Sequence, residues 1–123
     1  MSGMIIGKVI RRKDYYVYVD TTGDGRADKC IFCDNGEFIN IPRFDNKRFS
    51  YYDAYAVMHP GDIVSFTVNL TQERANKSYL IKATDLAGEP TVNGQNAFTL
   101  RLYRQMQEIR ALIAKDNTFT IEK

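Results

Sequence analysis

Through the first two thirds of the chain, apolar and polar residues alternate with the period of two that belongs to half-buried strands. Residues 4–12 are β-branched and basic, and a Lys13-Asp14 break separates them from residues 15–19, an aromatic and β-branched run. Residues 20–28 form a glycine- and aspartate-rich loop, and residues 29–33 read as the returning strand. Asp34-Asn35-Gly36 is a turn signal before a short strand at 37–41, which Pro42 closes. Residues 43–50 are polar and charged and residues 51–58 fit one or two helical turns; for 43–58 as a whole, helix, strand and mobile flap are all open. Pro60-Gly61 turns the chain into residues 62–70, whose Val64, Phe66, Val68 and Leu70 share one face. A polar loop at 71–77 then leads to a last core strand at 78–85, in which Tyr79, Ile81 and Ala83 alternate against Lys82 and Thr84.

The period changes near the C-terminus. Residues 87–96, rich in Gly, Pro and Asn, read as a connection. Residues 97–115 then carry Phe98, Leu102, Met106, Ile109 and Ile113, spaced by three and four, the stripe of an amphipathic helix. Asp116-Asn117 marks its expected end, and 116–123 is expected to be a tail or a short strand. The pattern predicts a mainly β fold, a small barrel of five or six strands over residues 1–86 followed by one C-terminal helix.

Composition narrows the class. A chain of 123 residues and 14.1 kDa fits one domain. With 44% hydrophobic and 26% charged residues it is neither disordered nor a coiled coil. No apolar run approaches the ~20 residues of a spanning helix, and no secretory leader is expected. Net charge is only +2, but it is unevenly placed. Residues 1–13 carry Lys8, Arg11, Arg12 and Lys13 with no acid, whereas residues 14–40 carry six acids against Arg26 and Lys29.

The order strand, strand, strand, short helical segment, strand, strand resembles that of OB-fold domains of the cold-shock and S1 type. Gly7-Lys8-Val9-Ile10 stands where such domains open, and residues 15–19 and 29–33 take the places of their second and third strands. Pro60-Gly61-Asp62-Ile63-Val64-Ser65-Phe66 is similar to their glycine-led fourth strand, and residues 78–85 to the fifth. The resemblance spans residues 5–86 and is one of topology. The glycines of the family's first aromatic motif are missing from 15–19, Cys33 stands for the histidine of the second, and the C-terminal helix is additional. It implies a barrel whose second and third strands present a ligand face.

Strand geometry makes that face concrete. If Val17 and Val19 point inward, Tyr16 and Tyr18 point outward, and Phe32 joins them from the next strand. Exposed aromatics on these strands suit the stacking of unpaired bases, and Lys8, Arg11, Arg12 and Lys13 would neutralise phosphates. The expectation is a cytoplasmic, non-enzymatic module that binds single-stranded DNA or RNA with little sequence preference. The alternative is an interaction or assembly protein, a homo-oligomer or accessory subunit without a nucleic-acid role. There the C-terminal helix, through Phe98, Leu102, Met106, Ile109 and Ile113, covers the aromatics or binds a partner.

Other chemistry is thin. Asp20, Thr22, Asp24 and Asp28 partly follow a calcium-loop pattern, but position 12 is Ile31 and the flanks are strands, so a hairpin loop is favoured and no cofactor is expected. Cys30 and Cys33 form a lone C-x-x-C whose side chains face opposite sides of a strand, which suits two reduced thiols. One histidine, His59, lies in a turn, and no nucleophile–base pair or phosphate loop is legible.

Overall fold

The computed structural model describes residues 3–34, 38–41 and 48–121, with side chains through Ile109. Five strands carry most of the fold: β1 (Gly3–Lys13), β2 (Tyr16–Asp20), β3 (Lys29–Phe32), β6 (Ile63–Val68) and β8 (Leu86–Val92). Two short strands, β7 (Leu80–Ile81) and β9 (Gln95–Asn96), extend them into one seven-stranded sheet of order β7-β3-β2-β1-β6-β8-β9. Every pairing is antiparallel except β3 with β7. A separate pair joins β4 (Phe38–Asn40) to β5 (Arg48–Ser50). Helix α1 (Tyr51–Tyr55) follows β5, α2 (Gln72–Lys77) lies between β6 and β7, and α3 (Ala97–Ile121) ends the described chain.

Strand β1 serves two neighbours. Residues 3–8 pair with β6 and residues 8–13 with β2, so Lys8 is shared. Gly7 sits beside the changeover, where a Cβ would stand 2.5 Å from the Asp20 carbonyl oxygen and from Val19 Cγ1. The register with β2 then slips between Val9 and Arg11, a β-bulge. Asp14 and Tyr15 make the β1–β2 turn with φ of 52° and 70°. Two positive φ values suit the twist of a two-residue hairpin, though a tyrosine rarely takes one.

The alternation read from the sequence sorts the core correctly. Val17, Val19, Ile31, Val64, Phe66 and Val68 are buried, as are Ile5 and Val9 of β1. Tyr51 and Ala54 of α1 and Ala97 and Phe98 of α3 close over them, and the Phe49 and Phe98 rings stack at 5.3 Å.

Several expectations are corrected. Residues 71–77 are not a loop: Thr71 caps α2 by accepting the Arg74 amide, and Ala75 is buried. A six-residue helix with one buried apolar residue carries no readable stripe. The strand expected at 78–85 is only Leu80–Ile81, followed by a 3-10 turn at Ala83–Asp85, and Tyr79 is exposed. Residues 87–96 are not a connection but most of β8 and β9. Gly88, Glu89 and Pro90 bulge opposite Phe66, between the Ser65–Thr91 and Thr67–Ala87 pairs, which lets a strand tolerate them. Asn93 and Gly94, both at positive φ, make the turn into β9. Helix α3 continues through Asp116-Asn117 to Ile121, so 116–121 is neither tail nor strand. The Asn35-Gly36 turn, residues 42–47 and the Ile113 side chain lie outside the described residues. No pairing joins the β7 edge to the β9 edge among the described residues, so the sheet as described is open.

Because backbone and a branched side chain crowd Gly7, Gly7→Ala is expected to cost about 1–3 kcal/mol. The check is the urea midpoint, which should fall with the slope unchanged.

Candidate functional site

The outward residues of β2 and β3 form two cross-strand rows. In one, Leu80, Cys30, Tyr18 and Arg11 stand side by side; in the other, Phe32, Tyr16 and Lys13. The Tyr16 and Phe32 rings stack with centroids 4.5 Å apart, and Tyr16 lies 6.5 Å from Tyr18. The Arg11 guanidinium sits 4.3 Å over the Tyr18 ring. All three aromatics are half-buried, so their rings remain reachable, while Lys8 and Lys13 are exposed at the basic edge. The Tyr18 hydroxyl is pushed above its ordinary pKa by the Cys30 thiol beside it and by burial, against the pull of Arg11. It therefore stays neutral and able to donate a hydrogen bond.

Arg12 leaves the expected set. Its Nη1 donates to the carbonyls of Tyr55 and Met58 at 2.5 Å each, and its guanidinium stacks 4.1 Å over Tyr55. This side chain ties β1 to the end of α1 instead of facing the aromatic rows.

The rows are flanked by a groove of about 380 Å³ lined by Tyr16, Phe32, Asp34, Leu80, Lys82, Ala83 and Thr84. A second aromatic group lies past the hairpin tip and was not foreseen. Tyr15 meets Tyr52 edge-on at 4.3 Å and Tyr55 at 5.0 Å. The three-residue spacing of Tyr52 and Tyr55 is the available sequence signal, since it places both on one helix face. Tyr52 donates its hydroxyl to Asp34; that bond, then burial and the Asp34 charge, push its pKa up to about 12.

Helix α3 packs on α1, β8 and β9. Of its stripe, Phe98 is fully buried and Leu102 half-buried, but Met106 and Ile109 are 51% and 55% exposed. The stripe thus roots the helix and then runs into solvent.

The acidic loop is held together by its own hydrogen bonds. The Asp20 carboxylate accepts the amides of Thr22, Gly23 and Gly25 and the Thr22 hydroxyl. Asp28 accepts the Thr21 amide and hydroxyl, and Asp24 the Arg26 amide. Among the described residues no group of three or more His, Cys, Asp or Glu is placed to hold a metal ion.

Cys30 and Cys33 are free and buried: Cys30 stands beside Tyr18 in β3, whereas Cys33, one residue past the strand, belongs to the core cluster. Burial raises both thiols, Cys33 to about 12, so both are protonated at neutral pH. His59 lies in the turn, its amide donating to Asp62. Among the described residues no helix is long and apolar enough to cross a membrane. Comparison with protein-family models, with curated proteins and with solved structures finds no match to this chain.

The loop gives a pH prediction. Burial raises the Asp20 pKa, but the amides of Gly25, Gly23 and Thr22 and the Thr22 hydroxyl outweigh it and hold the group at about 2. A depressed carboxyl contributes stability that is complete above the unfolded value near 4 and lost as pH falls toward about 2. Asp20→Asn should lower the thermal midpoint at pH 7 and flatten its decline between about pH 4 and pH 2. An unchanged acid profile would remove the assignment.

Proposed function

We propose that this protein is a non-enzymatic binding module that holds single-stranded nucleic acid on the outer face of β2 and β3, with little sequence preference along most of the track. The observation that carries this reading is the Tyr16–Phe32 stack with Tyr18 alongside, half-exposed and edged by Arg11, Lys13 and Lys8. Every base has a π-face, so rings placed this way accept any of them, and cations at the edge track the phosphates.

The module is read as an OB-like barrel. An OB-fold is a five-stranded, partly open Greek-key barrel with its ligand face on the second and third strands. Here β1, β2, β3, β6 and β7 share one sheet, with α1 between the third and fourth of them in the chain. The packing of α3 on α1, β8 and β9 supports an uncovered ligand face. A second reading, assembly through α3, is supported by the exposure of Tyr103, Met106 and Ile109. It predicts an oligomer in light scattering that Ile109→Asp dissociates into folded monomers.

The nucleic-acid reading is tested by fluorescence anisotropy with single-stranded DNA, single-stranded RNA and duplex DNA at low and near-physiological salt. Single strands should bind more tightly than duplex. Tyr16→Ala and Tyr18→Ala should each cost about 1–3 kcal/mol, roughly a 5- to 150-fold loss, with circular dichroism unchanged. If Lys8, Arg11 and Lys13 each meet one phosphate, log K should fall with log salt at a slope of about −2. No binding to any of the three at low salt would sink the reading.

A further inference from the structure

The groove beside the Tyr16–Phe32 stack has polar and charged lining residues that non-specific stacking does not need. One wall is the ring pair, and Leu80 and Ala83 line it with them. Asp34, Lys82 and Thr84 complete the lining, residues that carry a carboxylate, an ammonium and a hydroxyl. At about 380 Å³ it lies at the small end of ligand clefts, the scale of a single nucleotide. A flat base entering there meets aromatic and aliphatic surface and borders Asp34. Resting on the nucleic-acid reading above, we propose that this groove is a base pocket that selects guanine at one position of the bound strand, with Asp34 as the selecting group.

The choice follows from acceptor and donor counts. A carboxylate only accepts hydrogen bonds, at two oxygens with about four lone-pair sites. The Tyr52 hydroxyl occupies one of these in the free protein and fixes the carboxylate against α1. Guanine alone presents two adjacent donors, N1–H and the N2 amino group, on its pairing edge, which matches two carboxylate oxygens. Adenine and cytosine each offer one amino donor beside a bare ring nitrogen acceptor, which the carboxylate repels. Thymine and uracil place one N–H between two carbonyl oxygens. Lys82 supplies the cation for the phosphate of the inserted nucleotide and offsets the Asp34 charge that would otherwise oppose it.

The experiment uses the full chain and labelled oligo-dT decamers, either plain or carrying one central guanine, adenine or cytosine, read by anisotropy at low salt. The guanine decamer should bind about tenfold more tightly than the other three. Asp34→Asn keeps an acceptor for Tyr52 but replaces one carboxylate oxygen with an NH₂ group. It should bring the guanine decamer to the affinity of the plain one. Equal affinity of the wild-type protein for all four decamers overturns the guanine pocket and leaves the stacking interface standing. A preference that survives Asp34→Asn overturns the role of Asp34. Absence of binding to every decamer and to the corresponding oligo-U RNA set overturns both the pocket and the reading on which it rests.

Discussion

The fold depends on one strand being able to pair with β6 over its first half and with β2 over its second. An ordinary strand handing over from one partner to another crowds its own neighbours at the changeover, and here the crowding falls on Gly7. With no Cβ, β1 passes close to the Asp20 carbonyl and Val19, and the two halves of the sheet meet without a gap. Everything inward of that crossing, from Val9 and Val17 to Val64 and Phe66, packs into one core because the sheet turns there instead of ending.

A second irregularity on the same strand decides which side the positive charge faces. Before the bulge, Ile5 and Val9 point inward and Met4, Ile6 and Lys8 outward. The slip between Val9 and Arg11 reverses the parity, so Arg11 and Lys13 pair with the outward tyrosines and Arg12 pairs with inward Val17. Without the extra residue Arg11 would be driven toward the core and Arg12 would face the aromatic rows. The bulge thus divides two adjacent arginines between different tasks. One stacks on Tyr18 at the proposed interface, and the other fastens the hairpin to the carbonyls that end α1.

That parity change also marks how far the sequence could be read. Alternation alone placed Tyr16, Tyr18 and Phe32 on one face and Val17, Val19 and Ile31 on the other, because a period of two leaves a strand few choices. It grouped Arg12 with Arg11 and Lys13 because a bulge has no residue signature of its own at Ile10. Residues 87–96 were misread for a related reason. Gly88 and Pro90 are turn formers in isolation, and only pairing across Phe66 makes them a bulge within a strand. The cluster of Tyr15, Tyr52 and Tyr55 depends on a tyrosine at φ 70° in a two-residue turn, a conformation its side chain disfavours.

The misread segment bears directly on function. An amphipathic helix must bury its stripe somewhere, and from sequence the aromatic rows were one candidate surface. β8 and β9 add to the β6 side of the sheet, while β2 and β3 lie on the other side of β1. Since α3 follows β9 without a break, its first turn lands on β8, β9 and α1, and Phe98 enters the core against Phe49 and Tyr51. The strand order therefore carries the helix away from the aromatic rows before its packing begins. Among the described residues, the half-exposed aromatic face on β2 and β3 and the exposed stripe at Met106 and Ile109 are two results of one topological fact. Binding on the face and assembly through the helix are for that reason compatible on a single chain, because neither surface has to be uncovered for the other to be used.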